Sequence, residues 1–518
     1  MGTSLRALRA LILLAGFYVL ALAVLGVLTG AALAAWSRAP AAGAVTVTAV
    51  AVLLGLPVLR GVCTLGPGDG GPHGLAVTEA EQPELWRVVH SLAGRTGTRA
   101  PDALLLTEEV NASVHEHTRL LGLLPGRRRL HLGVPLLIGL SEAQLLSVIA
   151  HELGHYGNAD TRLAGITLRG RDSVLRTVEG FRAPGRRGDR ARSRPGRIVG
   201  RLLYGAVARP FQAYARFCLR ATQSVGRQQE LAADRVAARV AGRDATASAL
   251  REIAVLDAVH DFYVDRYLGL GARAGLLPPR GEVVGGVRQL LGDPRLQADL
   301  AELRGEPPAG DRSPYDSHPP VAERIRLIEA LPEHGPAAAP ERPALALLRD
   351  AERVLVALEG VVLTPEARAM ERVGWPDLTH RAVHTLADTG AQPLRTAMAA
   401  SGLAPGSAAE DLTALLDAVD SGRLWLVAGH LPKSPEAARA SGRAAREFLR
   451  PGLEEGARHL AELALVEASG ARWEPSWAAG PRLRLPGERD VEEEVAAAVR
   501  AAVADAPDTG PLRALLAG

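Results

Sequence analysis

Ser141-Glu142-Ala143-Gln144-Leu145-Leu146-Ser147-Val148-Ile149-Ala150-His151-Glu152-Leu153-Gly154-His155 decides how this chain is read. Its first four residues form a capping box, serine at the cap and glutamine three places on, so a helix starts here. Leu145, Val148, Ile149, Glu152 and His155 follow at helical spacing. His151 and His155 then stand at i and i+4 on one face, where both imidazoles reach a single ion. Glu152 sits beside the first histidine, placed to take a proton from a water that the ion activates. Gly157-Asn158 marks the expected stop of the helix.

Two histidines leave a catalytic zinc one protein ligand short. Glu230 and Asp234, within Arg227-Gln228-Gln229-Glu230-Leu231-Ala232-Ala233-Asp234, are helical i, i+4 neighbours. The first can bind the metal while the second accepts the outer N–H of a ligand histidine and fixes its tautomer. Alone, such a pair on an Arg/Ala-rich helix reads as a solvated charged face; with His151 and His155 upstream, the ligand reading is preferred. His115, His117 and His131 have no spacing that suits a tetrahedral set and are assigned to exposed or edge positions.

The amino-terminal stretch is not that of a soluble domain. From Leu11 to Trp36 no residue is charged, more than the roughly 20 residues needed to cross a bilayer. A second apolar run, Ala41 to Leu59, follows the break Ser37-Arg38-Ala39-Pro40. A cleaved signal peptide has a core of only about 7–15 apolar residues, so a two-helix anchor is expected. Arg6 and Arg9 precede the first span, Arg38 alone lies between, and Arg60 follows, which favours a cytoplasmic location for everything after Arg60.

Composition narrows the rest. With 47% hydrophobic residues but only 4% aromatics, Ala, Leu and Val must fill the core. A net charge of +3 is too small to argue for nucleic acid. The basic run Arg182 to Arg197, broken by glycines and prolines, reads as a solvated loop. Two cysteines, Cys63 and Cys218, give no disulfide framework. Short strands at Ala103–Thr107, Ala112–His115 and Arg129–Gly133 alongside helices indicate an α+β fold. A long helix, kinked at Pro210, is expected from about Arg197 to Val240; arginines interrupt its apolar face too often for a third membrane span. Three parts are expected: residues 1–62 as two transmembrane helices, 63–335 as the metal-bearing domain, and 336–518 as a mainly helical domain. That last part shows helical segments, a short hairpin near Trp473 to Leu485, and no catalytic spacing.

In order, these features resemble the HtpX-like, CAAX-prenyl-protease-type membrane zinc metalloproteases, a branch of the gluzincins. The resemblance rests on the paired apolar spans, Asn111-Ala112 on a strand, and His151-to-His155 with Asn158 and Asp160. It continues through Arg227-to-Asp234 and Ser317-His318-Pro319-Pro320 with Arg324 and Ile325, covering roughly residues 1 to 330. It implies one Zn2+ held by His151, His155 and Glu230, Glu152 as general base and acid, and Asp234 behind a ligand histidine. It also implies a multi-pass protein of the cell membrane, facing the lipid bilayer, with a protein or peptide substrate. That substrate would lie along an edge strand at Asn111, Ala112, Ser113 and Val114. His318 would steady the oxyanion of the transition state; on its own residues it reads as a turn histidine, with Arg324 in an ordinary surface ion pair. Family members often carry further spans after the metal helix, whereas here that region is arginine-broken, and the tail from about Pro340 has no counterpart. Two rivals are an idle membrane scaffold with a structural zinc, which gives Glu152 no use, and a regulatory protease in signalling, which differs only in substrate.

Overall fold

The computed structural model describes residues 3–63, 73–116, 126–156, 194–305, 319–332, 342–487 and 489–517. His117, Asn158, Asp160, the basic run over 182–193, Ser317 and His318 lie outside the described residues. The chain divides into two compact units, residues 1–257 with 299–362 and residues 258–298 with 363–518. Residues 258–298 thus pack with the C-terminal part of the chain.

The first unit opens on two apolar helices, α1 (Thr3–Arg38) and α2 (Ala41–Cys63). Over Ala15–Arg38 and Ala41–Arg60 they have the length and composition of membrane spans, and among the described residues no other helix does. Val19, Leu22, Val27, Leu33, Val45 and Val52 are all exposed. So much contiguous apolar surface suits lipid and not water. Trp36 Nε1 donates to Thr48 Oγ1 at 3.0 Å and ties the two helices at their turn.

A four-stranded sheet follows, built of β1 (Leu75–Val77), β2 (Ala103–Thr107), β3 (Ala112–Glu116) and β4 (Arg128–Gly133) in the order β1-β2-β4-β3. β2 and β4 are parallel and the outer pairs antiparallel. Alternation in β2 and β4 sends Leu104, Leu106, Leu130 and Leu132 to the core. There they meet α3 (Pro83–Thr96), through Leu85, Val89 and Leu92, and the metal helix α4 (Glu142–Gly154), through Leu145, Ile149 and Leu153. Each such fully buried side chain contributes about 1.5–3 kcal/mol. The start of α4 is the expected capping box: Ser141 Oγ accepts from Gln144 N–H, and Gln144 Oε1 accepts from Ser141 N–H.

Helix α5 runs from Arg194 to Ala241, one element through Pro210. Its early part packs on the apolar pair: Phe211 is fully buried with Phe17, Ala21 and Val58, its ring centroid 6.3 Å from that of Phe17. Cys218 is buried farther along. The unit also contains α6 (Val321–Glu329) and α7 (Ala351–Val362).

The second unit is helical around α8 (Trp375–Ala400), α9 (Gly442–Ser469) and α10 (Glu492–Ala502), with the hairpin β5 (Arg472–Glu474) and β6 (Arg482–Arg484) beside them. Its core is Leu- and Ala-rich, including Leu394, Leu412, Leu453 and Leu460. Tyr263, Tyr267, Trp375 and Trp477 stack into one aromatic cluster.

Candidate metal centre

α4 and α5 cross at Gly154. A Cβ there would lie 3.2 Å from Val236 Cβ and 3.5 Å from Ala233 Cα, so glycine permits the close approach. The approach brings carboxylates of α5 to the histidines of α4. His155 is the C-cap and keeps helical backbone angles (φ −60, ψ −17), so it stays on the face of His151. His151 Nε2 lies 3.2 Å from His155 Nε2 and 3.5 Å from Glu230 Oε2; His155 Nε2 lies 3.6 Å from Glu230 Oε1.

These separations suit a cation. A tetrahedron with metal–ligand bonds of about 2.0–2.1 Å has edges of roughly 3.3–3.4 Å. The other side of His151 fixes its tautomer: Nδ1 lies 3.0 Å from Asp234 Oδ1, so Nδ1 carries the proton and Nε2 turns a lone pair inward. Two imidazole lone pairs and a carboxylate converging in this way repel one another unless positive charge lies among them. The titration of His151 reports that field. Burial disfavours its charged form, yet the Asp234 and Glu230 carboxylates outweigh burial and raise its pKa to about 9.

Asp234 is buried and held by Arg324 of α6, whose Nε and Nη2 donate to Oδ2 at 2.9 Å and to Oδ1 at 2.6 Å. Burial opposes the charge of Asp234, but bonds from His151 and Arg324 hold its pKa below the usual carboxylate value. Arg324 Nη1 also comes within 3.5 Å of Glu230 Oε2. The expectation of a surface ion pair for Arg324 does not hold: the residue is 8% exposed and sits behind the metal ligands. The sequence signal was its place in the helix after Pro319-Pro320, but only the fold brings that helix to Asp234. Glu152 is half-buried, with its charge felt at both His151 and Arg324. His318 lies outside the described residues.

The expected substrate strand is β3, at an edge of the sheet, with Asn111 just before it. Gly133 N–H donates to the Asn111 carbonyl, so alternation turns the main-chain groups of Ala112 and Val114 away from β4, toward the free edge. Tyr156, the residue after His155, donates its hydroxyl to the Val114 carbonyl at 2.6 Å and fastens the strand to the end of the metal helix. Ser113 Oγ lies 3.1 Å from His115 Nε2. His131 is not exposed, because β4 is an internal strand; it is 4% exposed. Burial, with His115 and Arg129 nearby, lowers its pKa to about 4, so it is neutral. His151, His155 and Glu230 are brought together, and among the described residues no other group of three His, Cys, Asp or Glu could hold a metal ion.

Comparison with known proteins agrees with this arrangement. Residues 79–331 match the sequence profile of peptidase family M48. A protease HtpX homolog of Kineococcus radiotolerans is 28% identical over 258 residues, covering 49% of this chain and 75% of the relative. No solved structure matches. The matched segment contains the paired histidines, the carboxylates of α5 and Arg324, and two membrane-type helices precede it. The match over residues 79–331 and the HtpX homolog together support an HtpX-like membrane metalloprotease of peptidase family M48.

Proposed function

We propose that the chain is a membrane-anchored, zinc-dependent endopeptidase using one Zn2+ per chain and acting on protein or peptide substrates. The observation that carries this reading is the convergence of ligand atoms from His151, His155 and Glu230 within 4.8 Å of one another, with a further glutamate, Glu152, adjoining the first. His151, His155 and Glu230 would hold the zinc, which would supply Lewis acidity toward the scissile carbonyl and lower the pKa of a water toward ~7. Glu152, beside the first ligand histidine, would serve as the general base toward the attacking water and return the proton to the departing amine. Asp234 holds His151 in the Nδ1–H tautomer, and Arg324 offsets the buried charge of Asp234. His318 donates to the carbonyl oxygen as negative charge develops.

An extended peptide adds to the edge of β3 through the main-chain N–H and carbonyl of Ala112 and the N–H of Val114, whose carbonyl is taken by Tyr156. The arginine pattern supports a multi-pass protein of the cell membrane with its catalytic domain in the cytoplasm. Misfolded or surplus membrane proteins are the substrates this location suits.

The test is zinc content and casein cleavage of the wild type beside Glu152→Gln. The variant should keep its zinc and lose roughly 10²–10⁴-fold in cleavage. Near-wild-type turnover in Glu152→Gln, with contaminants excluded, would make the mechanism wrong.

A further inference from the structure

From Arg194 to Gln229 helix α5 carries seven arginines and no acidic residue, so it holds no counter-charge of its own before Glu230. Its packing fixes the level at which part of that charge stands. The Tyr214 hydroxyl donates to the Leu13 carbonyl of α1, and a Cβ at Gly16 would meet the Tyr214 ring. One turn earlier in α5, the Phe211 ring meets that of Phe17, and Ala208 joins the same buried cluster with Ala21. Contacts climb α1 as they descend α5, so the two helices run antiparallel. Leu13, Phe17 and Ala21 all lie in the uncharged stretch that begins at Leu11. This part of α5 is therefore level with the start of a membrane-type helix.

Helical geometry then sorts the side chains. Ala208, Phe211 and Ala215 face the apolar pair. Arg209 stands two residues from Phe211, about 200° around the helix, and Arg216 lies within roughly 20° of two full turns from Arg209. The two arginines share the outer face, about 10 Å apart along the axis. Both are exposed, and neither forms an ion pair among the described residues. Ala213, exposed between them, leaves the space over the helix open. Phe217, 58% exposed, follows Arg216 on the same outward side. Arg216, just beyond Tyr214, comes level with the first apolar residues of α1, where headgroups give way to acyl chains. Arg209 comes level with Phe17 to Ala21, within the apolar layer. A guanidinium facing acyl chains is costly, and a long side chain relieves the cost by meeting a headgroup.

We propose that Arg209 and Arg216 bind the phosphate of an anionic phospholipid, its headgroup seated over Ala213 and an acyl chain against Phe217. This rests on the membrane-anchored part of the reading above and not on its chemistry. Arginine suits the role because its planar fork meets phosphate oxygens through two parallel hydrogen bonds. An anionic lipid is preferred to a zwitterionic one because this stretch of α5 offers cations and no acid.

The experiment uses the full chain in dodecyl maltoside, titrated with palmitoyl-oleoyl phosphatidylglycerol or the matching phosphatidylcholine and read by native mass spectrometry. A preference of at least tenfold for phosphatidylglycerol is expected, and the double variant Arg209→Gln, Arg216→Gln should remove it. The pair Arg423→Gln, Arg443→Gln takes the same charge from exposed arginines of the second unit and should keep it. Ala213→Trp alters no charge but fills the space between the arginines, and should weaken phosphatidylglycerol binding severalfold. Equal binding of the two lipids, equal losses in the two arginine pairs, or a preference untouched by Arg209→Gln, Arg216→Gln overturns the proposal. Displacement of the lipid by millimolar inorganic phosphate would reveal a small-anion site and overturn the lipid source. Alkaline extraction of membranes separates the site from the anchor beneath it. A wild-type chain that washes off sinks both, whereas one that stays integral without preferring phosphatidylglycerol sinks the site alone.

Discussion

The metal centre and helix α9 of the second unit use the same three-part chain of side chains to opposite ends. In the first, Arg324 holds Asp234, and Asp234 takes Nδ1 of His151. In the second, Arg458 holds Glu462, and Glu462 takes Nδ1 of His459. Both leave the histidine Nε2 lone pair pointing away from the carboxylate. What it faces decides the chemistry: a second imidazole and the Glu230 carboxylate at the first site, an arginine nitrogen at the second. An Arg–carboxylate–His relay is therefore no metal signature by itself. The charge on the far side of the ring determines whether a cation is welcome.

This contrast can be broken most sharply at the two arginines. Arg324→Gln leaves Asp234 buried with one partner fewer and loosens the orientation of His151, so zinc affinity should fall about 10–100-fold. Arg458→Gln, the matching change in the other relay, should leave zinc affinity at the wild-type value. Competition with a chelator of known affinity measures both, and equal losses in the two variants would erase the distinction.

Acidity gives a second handle, of about tenfold per pH unit. His151 has its pKa raised to about 9, so below that value a proton must leave before metal can bind. Zinc affinity should therefore rise with pH and level off as pH approaches 9. Asp234→Asn removes a carboxylate that raises this pKa, so the slope should flatten at the alkaline end first. Chelator competition between pH 6.5 and 9 would show it, and a pH-independent affinity in the wild type would contradict the raised pKa of His151.

The smallest effect belongs to Tyr156. Its hydroxyl bonds to Val114 on the edge strand, and a hydrogen bond of this kind contributes about 1 kcal/mol. Tyr156→Phe should raise KM for an extended peptide severalfold with kcat nearly unchanged, since it loosens the proposed substrate strand while the metal ligands stay put. A loss confined to kcat would place Tyr156 in the chemistry.

Local patterns made much of the first unit legible. Ser141 and Gln144 announce the helix start, and the strands at 103–107, 112–116 and 128–133 follow β-type residues to within a residue or so of the structure. The i, i+4 pairs of α4 and α5 identify which side chains share a face. What they meet is not local, which is why Arg324 reads as a surface residue until α6 is seen to lie against Asp234. The same holds for His131, whose burial follows from the strand order β1-β2-β4-β3 rather than from its neighbours in sequence. Packing of residues 258–298 with the C-terminal part of the chain has no periodic signal, so it could not be anticipated. The profile of family M48 ends at residue 331, and the tail beyond it is read from its packing alone.

Helix α5 also acts as a measuring rod. One continuous element carries Phe211, seated against the apolar pair, and Glu230, at the metal centre. Nineteen residues separate them, about 28 Å along the axis. No tilt can lengthen that, so the ligands stand at most this far from the level at which α5 meets the apolar pair. An extended polypeptide covers the distance in about eight or nine residues. For the proposed endopeptidase, a membrane-embedded substrate would need only a short unfolded tail of about that length to present a bond for cutting.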